Sequence, residues 1–525
     1  MNTYDEEEPD PWRSGPTTNA WSTTNPTITS NNTDRPDDST STRIASDLTK
    51  VSLIDRARSD LFNSSADVLE ESIWNETLAT QSNDSTTISA EATTTNQTFI
   101  PENILNQDTN KHIGNSMEDT NNVEEALNDW CDKIRKTYKP LDYDIIAIEE
   151  IPEREGLLFK HANYSVKHLV DLPHVDSPKD KSVIRRYSDF VWLQEILLRR
   201  YPFRMVPELP PKRIGSQNAD PVFLLKRKNG LRRFINLVMK HPVFKNDDLV
   251  LTFLTAPTDL SSWRKQATYD TSDEFTDRKI SVEFRKMWQK DISQQWNKAT
   301  SSIDQSIEIW SRICILVERH SKKLNQIAHE DSIFNSLIKD FTNFAPKLYP
   351  IQQSDTILDI NNHFSIISTH LEKKNEITLQ TIKDFSDQLI PKFKIYTDVL
   401  LSLRGLFERY RIMATNTIPQ LQRHVQLNLE KLESMKGKPE VSGTEYDKIK
   451  ASIKRDRKSI GEQLNRTWLI RECILQEFTI FQETQFMITR AFQEWMKLNS
   501  TYNGLILNEW EKLGNQTIDM PSSRK

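Results

Sequence analysis

Arg185-Arg186-Tyr187-Ser188-Asp189-Phe190, Leu209-Pro210-Pro211-Lys212 and Lys226-Arg227-Lys228-Asn229-Gly230-Leu231 are the three segments of this 525-residue chain whose residue types could do chemistry together. Between Arg185 and Arg233 there are 12 Lys/Arg against 4 Asp/Glu, so the chemistry on offer is the recognition of an anion. A phosphorylated inositol asks for such a set. The planar fork of an Arg suits a ring phosphate. The sugar ring needs a flat apolar face, which Tyr187 could supply, and a diester phosphate suits the point charge of a Lys. Most charge clusters are solvated surface, and Arg185 with Arg186 ahead of a helix would say little alone. Three such segments in this order say more.

The elements that must position them can be read around them. Asp144–Glu150, Asn163–Val170 and Lys181–Tyr187 read as strands. Ser188–Arg200 has the apolar spacing of a helix at Phe190, Leu193 and Leu197. Pro207, Pro210 and Pro211 predict an extended loop. Asp220-Pro221 opens a second helix with proline at its first position, and Pro242 ends it. Residues 142–257 therefore form one compact α+β unit, preceded by a short helix at Val123–Tyr138.

Beyond residue 275 the text is helical for over 200 residues. One apolar seam runs through Ile303, Ile307, Trp310, Cys314, Val317, Leu324, Ile327, Phe334, Leu337, Phe341, Phe344 and Leu348, in heptad-like steps over about 69 Å. Pro346 and Pro350 break it. A second run goes from Thr356 to Met435, with kinks expected at Pro391 and Pro419. A turn at Gly437, Pro439 and Gly443 leads to a third run, Thr444–Leu513. Helices this long make an elongated bundle whose apolar faces need one another and a second copy.

The Arg-Arg-Tyr-Ser-Asp-Phe box, the Leu-Pro-Pro-Lys loop and the Arg-Lys-Asn-Gly-Leu helix resemble a phox-homology (PX) domain. With the helical region behind it, the chain resembles a PX-BAR sorting nexin, nearest the fungal vacuolar-protein-sorting members related to the animal sorting nexin 8 type. The resemblance implies an α+β PX domain, with a three-stranded sheet plus helices, followed by an all-α elongated three-helix BAR domain. The division is a disordered acidic Ser/Thr/Asn-rich region at 1–120, a short helix and linker at 121–141, PX at 142–257, a linker with an amphipathic stretch at 258–300, and a BAR-type dimerisation domain at 301–515. It also implies roles. Arg186 holds a 3-phosphate, Tyr187 stacks on the inositol ring, Lys212 meets the 1-phosphate and Arg227 takes the 4- and 5-hydroxyls, so that phosphatidylinositol 3-phosphate is the implied ligand.

Further membrane contacts are expected on weaker grounds. Ile214 follows Lys212 and either dips into the bilayer or packs on its own domain. Ile280, Phe284, Met287, Trp288 and Ile292 lie at helical spacing among Arg285, Lys286 and Lys290, so Phe284 and Trp288 either lie on a membrane or cap the bundle core. Residues 431–458 hold 9 Lys/Arg against 5 acids, and Lys450, Lys454 and Arg455 are candidates to meet anionic lipid.

Composition bounds the rest. The net charge of −6 divides into −14 over residues 1–120 and +8 over the remainder. The first segment is too polar to offset its ordering entropy and reads as disordered. Two apolar islands in it, Ile44–Phe62 and Val68–Leu78, read either as incidental apolar residues in a tail or as transient helices that dock a partner. The three cysteines are far apart and odd in number, which suggests no disulfide framework or zinc site and fits a cytosolic setting. The acidic N-terminus argues against a secretory signal, and no run of about 18 uncharged apolar residues is present. With only 11 Gly and no phosphate-cradling Gly loop, HExxH or GxSxG, no catalytic residue, metal or cofactor is expected. The expected protein is a peripheral endosomal sorting nexin that senses or induces curvature, in vacuolar or retrograde traffic. Its expected partners are 3-phosphorylated membranes, a second copy in a homodimer or higher oligomer, and cargo or coat proteins, with no nucleic acid. The alternative is a PX-localised scaffold or tether without membrane remodelling.

Overall fold

The computed structural model describes residues 117–155, 161–172, 182–212, 220–257, 259–349, 354–435 and 443–523. The acidic region through residue 116, the loop that carries Ile214 and the turn at Gly437 and Pro439 lie outside them.

An α-helix, α1 (Met117–Thr137), comes first and starts six residues earlier than the apolar spacing suggested. The α+β domain follows as an antiparallel sheet in the order β1–β2–β3, with β1 at Ile146–Glu155, β2 at His161–His168 and β3 at Ser182–Arg186. Ile146 pairs with His168 and Asn163 with Arg186. Helices α2 (Tyr187–Arg200), α3 (Pro221–Lys240) and α4 (Asp248–Thr255) close over one face. Phe190 is the centre of this layer, in edge contact with Phe253 at 4.9 Å and Phe234 at 6.3 Å. A polar clasp adds direction. The Asn236 side chain accepts from the Ile145 and Ile146 N–H groups and donates to the Ile146 carbonyl, pinning α3 to β1.

Two short helices, α5 (Leu260–Gln266) and α6 (Val282–Met287), lead to the helical bundle. Its helices are α7 (Lys290–Leu348), α8 (Ser354–Asp384), α9 (Ile390–Met413), α10 (Ile418–Met435), α11 (Gly443–Glu483) and α12 (Gln485–Gln516). At 59 residues, α7 spans about 88 Å. The second run is interrupted beside both prolines. A π turn at Phe385–Leu389 absorbs the missing N–H of Pro391, and α8 runs on into α9. Pro419 is the second residue of α10, where its missing N–H costs nothing; the break lies before it, at 414–417. The third run is also interrupted at Thr484, whose hydroxyl donates to the Phe481 carbonyl.

The apolar seam divides into two parts. Ile303, Trp310 and Cys314 are buried within the chain, in contact with Phe393 and its neighbours. From Ile327 onward the same seam is open: Phe334, Leu337, Phe341, Phe344 and Leu348 are each about half exposed or more. Leu507 and Trp510 on α12 are open as well.

The two domains share a core. Phe203 and Met205, on the loop after α2, are buried among Trp296, Phe407 and Ile474 of the bundle. Arg204 between them donates to Glu274 and to Glu477, and Glu477 also accepts from His241 and from the Met205 N–H. Arg409 donates to the Pro202 and Arg204 carbonyls, and Arg233 pairs with Asp398. The α+β domain is thereby held in one orientation on the bundle. Among the described residues no helix is long and apolar enough to cross a membrane.

Candidate anion-binding pocket

Strand alternation sends the two arginines of the box to opposite sides. Val183 and Arg185 point inward and Ile184 is exposed. Arg185 is buried, and its guanidinium donates to the Phe253 (2.8 Å), Ile184 (2.7 Å) and Ala256 (2.5 Å) carbonyls. Burial pulls its pKa down to about 10. It is a strut between β3 and α4. Arg186, one residue on, faces outward with a third of its side chain exposed. Its backbone N–H is taken by Asp189, which fixes the strand-to-helix corner.

Tyr187 begins α2, and its hydroxyl donates to the Pro210 carbonyl at 2.5 Å. This ties the polyproline loop to the corner, and Gln194 repeats the tie at Pro207. Arg227 comes in from α3. Its guanidinium lies between two aromatic faces, 4.8 Å from the Tyr187 ring centre and 4.3 Å from that of Phe223. Gly230, one turn on, explains how α3 can approach so closely: a Cβ there would sit 3.0 Å from Pro210 Cβ. Thus Tyr187, Arg227 and the Pro210 carbonyl form one cluster, with Arg186 beside Tyr187. Lys212 stands exposed two residues beyond Pro210.

Two neighbours were missed in the sequence. Tyr164 on β2 is fully buried, and its phenol is raised by burial, with Arg227 opposing. Asp259, at the start of α5, pairs with Arg186 Nη2 at 2.5 Å. The Ser261 hydroxyl, ahead of the Arg186 guanidinium, draws the Asp259 carboxyl down to about 2. The Asp259-Leu260-Ser261-Ser262 run carries an N-cap signature that predicts α5, but it gives no hint of the Arg186 contact.

The remaining candidates separate. Phe284 is 1% exposed and packs against Ile292, Leu475 and Trp130. Of the two readings of the stripe, the structure selects the cap on the bundle core and removes Phe284 from the membrane contacts. Trp288 is half-buried, perpendicular to Trp468 at 6.3 Å and under the Arg471 guanidinium at 5.3 Å. Lys450, Lys454 and Arg455 are exposed on α11. Ile214 lies outside the described residues.

Comparison with known proteins agrees with this architecture. The family description "PX domain" matches residues 174–257, and "Sorting nexin 8/Mvp1 BAR domain" matches residues 268–524. Sorting nexin MVP1 of Saccharomyces cerevisiae is 61% identical over 466 residues, 87% of this chain and 88% of the relative. Sorting nexin MVP1 of Kluyveromyces lactis is 52% identical over 422 residues, 80% of this chain and 82% of that one. A solved structure described as the SNX-BAR Mvp1 tetramer, determined by cryo-EM, superposes with a TM-score of 0.63 at 67% identity, covering 70% of this chain and 99% of its own.

Proposed function

Because the chain belongs to the sorting nexins of the Sorting nexin 8/Mvp1 family, with a PX domain joined to a BAR domain, we propose that it is a peripheral endosomal protein that binds phosphatidylinositol 3-phosphate through Arg186, Tyr187, Lys212 and Arg227 and senses or induces membrane curvature as a dimer. It acts by binding rather than by catalysis, in the sorting of membrane cargo.

The observation that carries this reading is the Tyr187–Arg227–Pro210 cluster, with the outward-facing Arg186 the residue next to Tyr187 in the chain. Tyr187 has its hydroxyl tethered and one face toward Arg227, which leaves a fixed ring to stack on a sugar. Arg186 supplies the fork for a ring phosphate and Lys212 a second charge on the loop. The open half of the apolar seam supports dimerisation, since half-exposed Phe and Leu along one helix need a cover. A dimer with two rigidly mounted pockets and the exposed bases of α11 binds by effective concentration, so weak single contacts add up on a membrane of the right lipid and shape. Lys450, Lys454 and Arg455 each contribute about 1 kcal/mol near an anionic leaflet.

Flotation with liposomes tests the pocket. Arg186→Ala is expected to abolish binding to 3-phosphorylated liposomes while leaving the melting temperature unchanged; retained binding would mean the pocket is misassigned. Electron microscopy of the wild type on the same liposomes separates curvature from simple localisation: tubules support the former, bound but undeformed vesicles a scaffold or tether.

A further inference from the structure

Arg186 already holds an anion. Its Nη2 donates to Asp259 Oδ1 at 2.5 Å and lies 3.4 Å from the Ser261 hydroxyl. Asp259 is itself held in place, since its carboxylate accepts from the Ser262 N–H at 3.2 Å and from the Ser261 hydroxyl. The other acid near the corner, Asp189, is engaged by the Arg186 backbone N–H and by Arg264. We propose that Asp259 is an internal counterion of the lipid pocket, which occupies the guanidinium that a head-group phosphate must take and lowers the affinity of that pocket by having to be displaced. This rests on the role given to Arg186 above, and it concerns how tightly the site binds rather than what it binds.

The charges decide the direction. A carboxylate carries one negative charge and meets Arg186 here through one N–H. A phosphate monoester carries nearly two and can engage the fork through two. The Arg186–Asp259 pair is open to solvent, 32% and 46% exposed, so it is weak and yields to the phosphate. The displaced carboxylate cannot go far, because Ser262 and Ser261 hold it at the head of α5, and its charge then opposes the phosphate beside it. Asp259 therefore tunes the site without closing it. The acid is ionised throughout the physiological range, so the competition is constant rather than pH-gated. It comes from the segment that leads toward the bundle: the next residues of α5 pack Trp263 on Trp192 at 6.1 Å and bring Arg264 to Asp189.

Asp259→Asn in the full chain is the discriminating variant, because Asn keeps the helix cap and the volume while removing the charge. Asp259→Ser keeps the cap and withdraws the side chain from Arg186, and serves if the first variant folds poorly. Binding would be read by flotation on phosphatidylcholine liposomes containing phosphatidylinositol 3-phosphate, and on liposomes where phosphatidylserine supplies the same charge. The expected result is about two- to fivefold tighter binding to the first, the size an exposed pair can give, with no change on the second and no gain in an Arg186→Ala background. Equal or weaker binding, an equal gain on phosphatidylserine, or a gain that survives Arg186→Ala would each overturn the counterion role. Wild-type binding by Arg186→Ala alone would instead remove the pocket reading, and the counterion with it.

Discussion

Arg204 of the PX domain and Glu477 of α11 meet at 2.9 Å with 3% and 0% of their side chains exposed. An ion pair shut off from water thus joins the two domains across 273 residues of sequence. Such a pair is a poor source of net stability but expensive to break, because the abandoned charge stays buried. Glu477→Ala leaves Arg204 with the Glu274 carboxylate and the Gln476 side-chain oxygen, and removes the acceptor of His241 and the Met205 N–H. The expected loss is about 3–5 kcal/mol in urea unfolding, with new protease cuts near residues 202–206. A loss under about 1 kcal/mol would show that water replaces the carboxylate there.

Acid should act on the same joint. Burial alone would push the Glu477 carboxyl up, but His241, then Arg204 and the Met205 N–H, overcome it and hold the pKa down to about 2. A carboxyl depressed on folding contributes stability above its unfolded value of 4.5, and that contribution is lost as the pH falls from there toward 2. Stability measured against pH is therefore expected to drop across that window in the wild type and less steeply in Glu477→Gln.

Gly230→Ala sets two effects against each other. Alanine favours the helix by about 1 kcal/mol. The new Cβ, however, meets Pro210 Cβ at 3.0 Å, and overpacking of that kind costs about 1–3 kcal/mol. The clash prevails or nearly balances, so the melting temperature should change little or fall. Head-group binding should weaken several-fold, because the loop that Tyr187 holds is pushed away. Unchanged liposome binding would mean that the loop position does not matter to the ligand.

Phe344→Glu tests the open seam. The side chain is 59% exposed within one chain, so the fold should tolerate the charge. A buried glutamate between two copies would not be tolerated. Light scattering should then report the 61.3 kDa single chain where the wild type gives a multiple of it. An unchanged oligomer would exclude this part of α7 from the interface.

The triple change Lys450→Ala, Lys454→Ala, Arg455→Ala removes three exposed cations from α11. At about 1 kcal/mol each, membrane affinity should fall about 100-fold at low salt, and the difference should shrink as salt rises. A loss independent of salt would point to a folding defect instead.

Sequence alone determined a good deal. The strand read at Lys181–Tyr187 and the helix opened by Asp220-Pro221 are local patterns that produced their elements within a few residues, and the seam from Ile303 to Leu348 lies wholly on one helix, which begins earlier, at Lys290. The box, the loop and the helix of the pocket were legible because each keeps its residue types within six or fewer consecutive positions. Tertiary structure decided the rest. Periodicity says that a side chain needs cover but not what covers it. Phe284 could have met a membrane and instead packs on Leu475, and one seam could not announce that its first half is covered by its own chain and its second half left open. Nor could local pattern reveal that Arg186 faces Asp259 or that Arg204 reaches Glu477. Those contacts join residues 73 and 273 positions apart, and the folded backbone alone brings them within hydrogen-bonding distance.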